Sequence, residues 1–168
     1  MSKLSIPINK GNYSLDTLER EEQFYNYLSE GWEEEYFQYR TNWVKFAQDQ
    51  YVADYPLLVD LELASICNLA CPMCYTVTDQ FKSRVNAKLM DYDLFKKVID
   101  EIEGHVPAVR LSLRGESTLN SHFIDCICYA HAKGIKEISF LTNGSKFTPD
   151  YFAKVMKAGA SWITISFD

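Results

Sequence analysis

No stretch of this sequence approaches the ~20 consecutive apolar residues that a membrane-spanning helix requires, so no membrane partner is expected. No export signal is expected either, because Met1-Ser2-Lys3-Leu4 runs directly into polar residues. A cytoplasmic, reducing setting follows as an expectation. Positive charge is not in excess: 17 Lys and Arg stand against 23 Asp and Glu, a net charge of −6. That balance disfavours a protein that coats nucleic acid, and no DNA partner is expected. The five cysteines do not make an even set, and three of them crowd into eight residues. Without an export signal this is no disulfide framework; it reads as metal or redox chemistry. With 47% apolar and 24% charged residues among 168, disorder, collagen-like structure and coiled coil are excluded for the whole.

The first third differs from the rest. Residues 1–55 hold 5 Lys and Arg against 10 Asp and Glu, and 12 of the 24 aromatic residues. Leu15 to Gln50 is rich in helix-formers and poor in turn-formers, which predicts two or three short helices broken near Gly31. We read residues 1–55 as an acidic, aromatic-rich helical extension packed by its Tyr, Phe and Trp side chains. A substrate or partner surface is the alternative use of such aromatics.

From residue 56 the pattern becomes strand and helix in alternation. Leu57 to Leu63, Ala108 to Leu113, Glu137 to Leu141 and Trp162 to Phe167 read as strands. Asp91 caps a helix that Gly104 ends; Asn120 to Lys133 forms a second, closed by Gly134. Thr148-Pro149 opens a third, ended by Gly159. The order βαβαβαβ calls for a parallel sheet in an α/β fold. The strand starts at 57, 108, 137 and 162 leave spacings of 51, 29 and 25 residues. The first spacing is about twenty residues too long for a plain strand-plus-helix unit. The excess follows the first strand, at the end where parallel sheets bind ligands.

That excess contains Cys67-Asn68-Leu69-Ala70-Cys71-Pro72-Met73-Cys74, a C-x3-C-x2-C spacing. Thiolates are soft ligands for zinc, copper(I) or iron–sulfur clusters. Three of them on one loop hold three corners and leave one open. Structural zinc is normally closed by four ligands, and ferredoxin-like carriers use four cysteines per cluster. Cys126 and Cys128 lie two apart on a helix, face different ways, and read as small buried or half-buried side chains. His105, His122 and His131 form no recognisable ligand pair.

The cysteine loop after the first strand of a parallel β/α repeat resembles the radical S-adenosylmethionine (radical SAM) superfamily. The similarity extends over residues 57–168 and touches each strand end. The second strand ends in Arg114-Gly115-Glu116, similar to the family's Gly-Gly-Glu segment; the third ends in Thr142-Asn143-Gly144-Ser145; the fourth ends in Ser166-Phe167-Asp168. Arg114 stands where the family has glycine, and Met73 where it often has an aromatic residue. The resemblance implies a partial (β/α) TIM-barrel-like core with four parallel strands of six. It implies that Cys67, Cys71 and Cys74 hold a [4Fe-4S] cluster whose fourth iron takes the amino and carboxylate groups of S-adenosyl-L-methionine. Reductive cleavage would give methionine and a 5′-deoxyadenosyl radical that abstracts hydrogen from a substrate. Gly115 would let the backbone come close, and Glu116 would accept from the cofactor's ammonium. Asn143, Ser166 and Asp168 would meet its carboxylate, ribose or adenine. A reductant such as a flavodoxin or ferredoxin is implied.

The expected domains are therefore the extension over 1–55 and, over 56–168, the N-terminal part of a core cut after its fourth strand, with the second barrel half missing. Relatives with a C-terminal auxiliary-cluster (SPASM-like) domain are the most similar branch, which favours a peptide or protein substrate. Three other readings compete. In the first, a fragment or subunit binds the cluster without catalysis. A thiol–disulfide oxidoreductase would use Cys71 and Cys74, but it needs a helix starting at the first of them and leaves Cys67 without a role. A zinc-binding interaction module needs a fourth ligand, and none stands at the usual spacing.

Overall fold

The computed structural model describes residues 17–166. Helices α1 (Leu18–Ser29) and α2 (Glu33–Gln48) come first. The Thr17 hydroxyl accepts from the Arg20 N–H and caps α1. Gly31 separates the two helices at φ +80°, a conformation that costs other residues a steric clash. The break expected there is where the chain turns.

Four strands follow: β1 (Leu58–Asp60), β2 (Ala108–Arg110), β3 (Glu137–Thr142) and β4 (Trp162–Ile165). They lie in the order β1-β2-β3-β4 and every pairing is parallel. Between β1 and β2 stand a short helix α3 (Asp79–Arg84) and the crossover helix α4 (Tyr92–Ile102). Helices α5 (Phe123–Ala132) and α6 (Pro149–Lys157) make the next two crossovers. Sequential order with crossover helices on one face is a β/α barrel wall, and the architecture is α/β with a partial TIM-barrel-like core.

The strand alternation sorts the side chains. Val59, Val109, Leu111, Ile138, Phe140 and Ile163 meet α4–α6, where Phe95 and Ile99 are fully buried. Leu58, Ala108 and Trp162 point the other way and are covered by α1 and α2. Trp32, Tyr36 and Tyr39 fill that second core. The Trp32 indole donates to the Leu28 carbonyl at 2.7 Å and its ring stacks on Tyr39 at 6.2 Å. Phe24 meets Trp162 edge to face at 5.6 Å. Such ring pairs add roughly 1 kcal/mol each beyond the area they bury. All of these sheet contacts are with first residues of strands, so the helix pair closes the amino ends of the sheet and leaves the carboxyl ends open.

Besides β2 and β4, which end at Arg110 and Ile165 rather than running on to Leu113 and Phe167, two elements depart from the sequence reading. β1 is shorter than 57–63, because after Leu61 the chain leaves β2 and bonds the Lys88–Met90 segment: Met90 N–H donates to Leu63 C=O and Ser65 N–H to Lys88 C=O. α5 starts at Phe123 rather than Asn120. The Asn120 amide is occupied, donating to the Leu63 and Met90 carbonyls at 2.9 Å each, while its oxygen accepts from His122 N–H. Asn120 thus pins the cysteine loop's two flanks, and it follows a 3-10 turn (Ser117–Leu119) instead of starting the helix.

Glu137 opens β3 on the α2 side and is buried. Burial pushes its carboxyl above the usual range, opposed by the Arg40 guanidinium. Burial likewise raises its neighbours Tyr36, to about 12, and Tyr39. A carboxyl whose folded pKa is raised stabilises the fold while protonated. That contribution is lost as pH climbs from the ordinary value of 4.5 through the folded one. Glu137→Gln should therefore shift the urea midpoint upward at neutral pH, with the gain disappearing below about pH 4.5. Equal midpoints at neutral pH would contradict the burial cost.

Candidate functional site

The candidate site forms where β1, β2 and β3 end. Cys74 N–H donates to Cys71 C=O at 2.9 Å, which closes a tight turn through Pro72 and Met73. Cys67 is exposed, Cys71 and Cys74 are half-buried, and all three are free thiols. Cys67 Sγ accepts from Leu69 N–H at 3.5 Å and from the Asn143 side-chain amide at 3.7 Å. Cys74 Sγ lies 3.0 Å from Thr76 Oγ1. Among the described residues no three His, Cys, Asp or Glu side chains converge tightly enough to chelate one metal ion. A cube-shaped cluster asks for something else, one thiolate at each of several separate irons. The donor chemistry fits such a group: three soft, free thiols on one accessible loop beside polar strand ends.

After the cysteines the chain makes a 3-10 turn (Tyr75–Val77) and then α3, capped by the Thr78 hydroxyl, which accepts from Phe81 N–H. The sequence showed no apolar periodicity here because six residues are too few to display one. The helix begins at Asp79, so no helix starts at Cys71 as a thiol–disulfide centre would require. Of the two remaining cysteines, Cys126 is in the core, its thiol pushed up to about 12 by burial. Cys128 corrects the expectation of a half-buried side chain: it is exposed, since two positions along a helix rotate it to the far side.

Gly115 is required by packing. A Cβ there would sit 2.3 Å from Ile66 O and 2.4 Å from Ala64 O. The end of β2 therefore lies directly on the segment that enters the cysteine loop, and Glu116 N–H donates to Ile66 C=O at 2.8 Å. Arg114, in the position that departs from glycine, turns to Glu62. Its Nε donates to Glu62 Oε1 at 2.7 Å, its second guanidinium nitrogen pairs with Oε2, and its backbone N–H also donates to Oε1. The Glu62 carboxylate holds the guanidinium above its ordinary pKa. The same guanidinium lies over the Phe81 ring of α3, and Phe81 in turn meets Tyr75 next to Cys74.

Glu116 is 2% exposed. Oε1 accepts from Thr118 N–H (3.2 Å), Thr118 Oγ1 (2.5 Å) and Thr142 Oγ1 (2.8 Å); Oε2 accepts from Asn143 N–H at 2.7 Å. The carboxylate is a latch between the ends of β2 and β3, with acceptor capacity left on Oε2. Asn143 is brought beside Cys67 and Asn68. Ser166 is exposed at the end of β4, its N–H donating to Thr142 C=O at 2.8 Å. Asp168 lies outside the described residues. Sequence reasoning missed Thr118, Thr142, Asn68 and Ser145 as members of this network; only their nearness to the glutamate or the first cysteine signalled it. Below the strand ends, a cavity of about 310 Å³ opens on the sheet face turned from α4–α6, lined by Arg110, Ser112, Ser139 and, from α2, Tyr39, Arg40 and Trp43.

The model of the Radical SAM superfamily matches residues 61–168, which take in the whole cysteine loop, β2, β3 and β4. The chain belongs to this superfamily. Among curated proteins it is 33% identical to mycofactocin maturase MftC of Mycolicibacterium smegmatis, over 68% of this chain and 28% of that protein. It is 28% identical to the tungsten-containing aldehyde ferredoxin oxidoreductase cofactor-modifying protein of Pyrococcus furiosus, over 64% of this chain and 30% of that one. The chain thus spans under a third of the length of these relatives. Among solved structures, BtrN in complex with AdoMet and 2-DOIA superposes with a TM-score of 0.60 at 17% identity, covering 68% of this chain and 46% of that one. At that identity the likeness speaks for the fold, which is the one described above.

Gly115→Ala should destabilise the radical SAM core by about 3 kcal/mol or more, because backbone rather than a flexible side chain blocks the added methyl. Urea unfolding checks this, and a loss under about 1 kcal/mol would show that the two segments part easily.

Proposed function

We propose that this radical SAM chain binds a [4Fe-4S] cluster through Cys67, Cys71 and Cys74 and S-adenosyl-L-methionine beside it. The observation that carries the reading is the placement of three free thiols, Gly115, Glu116 and Asn143 at one set of strand ends, within a superfamily match over the same residues. When bound, the group supplies one-electron cleavage of the sulfonium bond and a 5′-deoxyadenosyl radical for hydrogen abstraction. The chain's own part is to hold and orient. The thiols fix the loop to the cluster. Oε2 of Glu116 offers its remaining acceptor site to the cofactor's ammonium, a charge-assisted contact. Ser166 offers a polar group to the carboxylate or ribose, Asn143 offers the free lone pair of its side-chain oxygen to a ribose hydroxyl, and Asp168 is assigned to the same side from the sequence alone. Met73, exposed on the loop, shields one face from water.

The substrate belongs in the cavity beneath the strand ends, where Tyr39 and Trp43 offer aromatic faces and Arg110, paired with Asp60, and Arg40, beside Glu137, line the polar side. A peptide or protein-borne substrate is the class we favour. The resemblance to relatives with a C-terminal auxiliary-cluster domain supports that choice. A flavodoxin or ferredoxin would deliver the electron.

The test is anaerobic reconstitution with iron and sulfide, reduction, and electron paramagnetic resonance with and without S-adenosyl-L-methionine. A [4Fe-4S] signal that changes on addition is expected. Cys67→Ala, Cys71→Ala and Cys74→Ala should each abolish it while helix content stays unchanged. One tightly held zinc ion and no cluster in the unaltered chain would overturn the reading.

A further inference from the structure

Asn143 is held more firmly than contact with a transient ligand requires, and its hydrogen-bonding groups are directed. Its backbone N–H is fixed by Glu116 Oε2 at 2.7 Å. Its side-chain oxygen accepts from the Ser145 backbone N–H at 2.9 Å. A backbone N–H is only a donor, so this bond settles which end of the amide is oxygen. The amide nitrogen then faces the cysteine loop with two hydrogens to give. One goes to Asn68 Oδ1 at 2.9 Å, and Cys67 Sγ lies 3.7 Å away in line for the other. Asn68 is itself oriented, because its own amide nitrogen donates to Ser145 Oγ at 2.8 Å. The sulfur is placed to take the amide hydrogen that remains, and it also accepts from Leu69 N–H.

We infer that Asn143 is a positioning residue for the first cysteine: its amide donates to the Cys67 sulfur and sets the reduction potential of the cluster held there. This rests on the cluster reading above. The physical reason is simple. Reduction adds negative charge to the cluster, which spreads onto its sulfurs. A donor aimed at a ligand sulfur stabilises the reduced form more than the oxidised one and raises the potential. The donor comes from β3 while the cysteine follows β1, so the contact also ties the loop to the far strand. Glu116, which fixes the Asn143 backbone, then acts on the cluster through Asn143 as well as on the cofactor.

The experiment is a potentiometric titration of the reconstituted full chain, followed by the resonance of the reduced cluster. Asn143→Leu keeps the bulk and removes the donor. Asn143→Asp also removes it and adds negative charge. The expected order of midpoint potentials is wild type highest, then Asn143→Leu, then Asn143→Asp. Iron content should be unchanged. Midpoints equal to wild type in loaded variants would overturn the inference and leave the cluster reading intact. A second measurement needs no variant. In wild type grown with side-chain 15N-asparagine, pulsed resonance should detect an asparagine nitrogen coupled to the cluster. Absence of that coupling would overturn the inference even if both variants fail to load.

Discussion

The arrangement of the site depends on one buried carboxylate. Glu116 is nearly inaccessible, and a carboxylate so placed is tolerable only because donors surround it. Those donors come from two places: Thr118 in the turn after β2, and Thr142 and Asn143 at the end of β3. The strand ladders keep the strands parallel but stop short of the loops. Beyond the ladders, Glu116 sets the distance between the two strand ends. Gly115, one residue earlier, sets the distance to the chain that enters the cysteine loop. Two adjacent residues thus register three strand ends against each other, one by its charge and one by having no side chain.

Stability and chemistry occupy opposite ends of the sheet. At the amino ends, α1 and α2 pack Trp32, Tyr36 and Tyr39 over the first residues of the strands. Few titratable groups lie there, and the main one, Glu137, costs the fold something at neutral pH. At the carboxyl ends the apolar packing gives way to hydroxyls, amides and thiols. This is the division expected of a β/α barrel wall. It is sharpened here because α2 reaches along the inner face and contributes Tyr39, Arg40 and Trp43 to the cavity wall. The extension therefore covers the sheet and also supplies surface to the cavity.

Local signals were readable in the sequence. Asp91 and Thr148 cap α4 and α6 as their types predict, and Gly31, Gly104 and Gly134 sit at positive φ where the helices stop. The strand order follows from alternation, and the spacing excess located the cysteine loop. Long-range side-chain bonds were not readable. Asn120 looks like a helix start until its amide is seen reaching back 57 residues to Leu63. Cys128 looks like core until α5 shows which side faces the sheet. Glu116 reads as a cofactor contact, and nothing in the sequence indicates that Thr118 supplies two of its four donors and Thr142 and Asn143 the others. Each of these depends on what lies opposite in space, and a single sequence carries no record of that.

Arg114 shows how such a departure is accommodated. A glycine in its place would ask nothing of its neighbours. An arginine at the same point needs its guanidinium satisfied, and Glu62 at the end of β1 accepts it with both oxygens. The side chain is drawn sideways, onto Phe81, and so leaves the Gly115 contact undisturbed. The substitution therefore adds a link that glycine could not make, from β1 through β2 to the helix that follows the cysteines. Arg114 and Glu62 are best understood as one unit, since neither charge is comfortable half-buried without the other. The Gly115–Glu116 pair that follows keeps its geometry because Arg114 finds its partner elsewhere, and this is why a change beside the most constrained glycine of the core is tolerated.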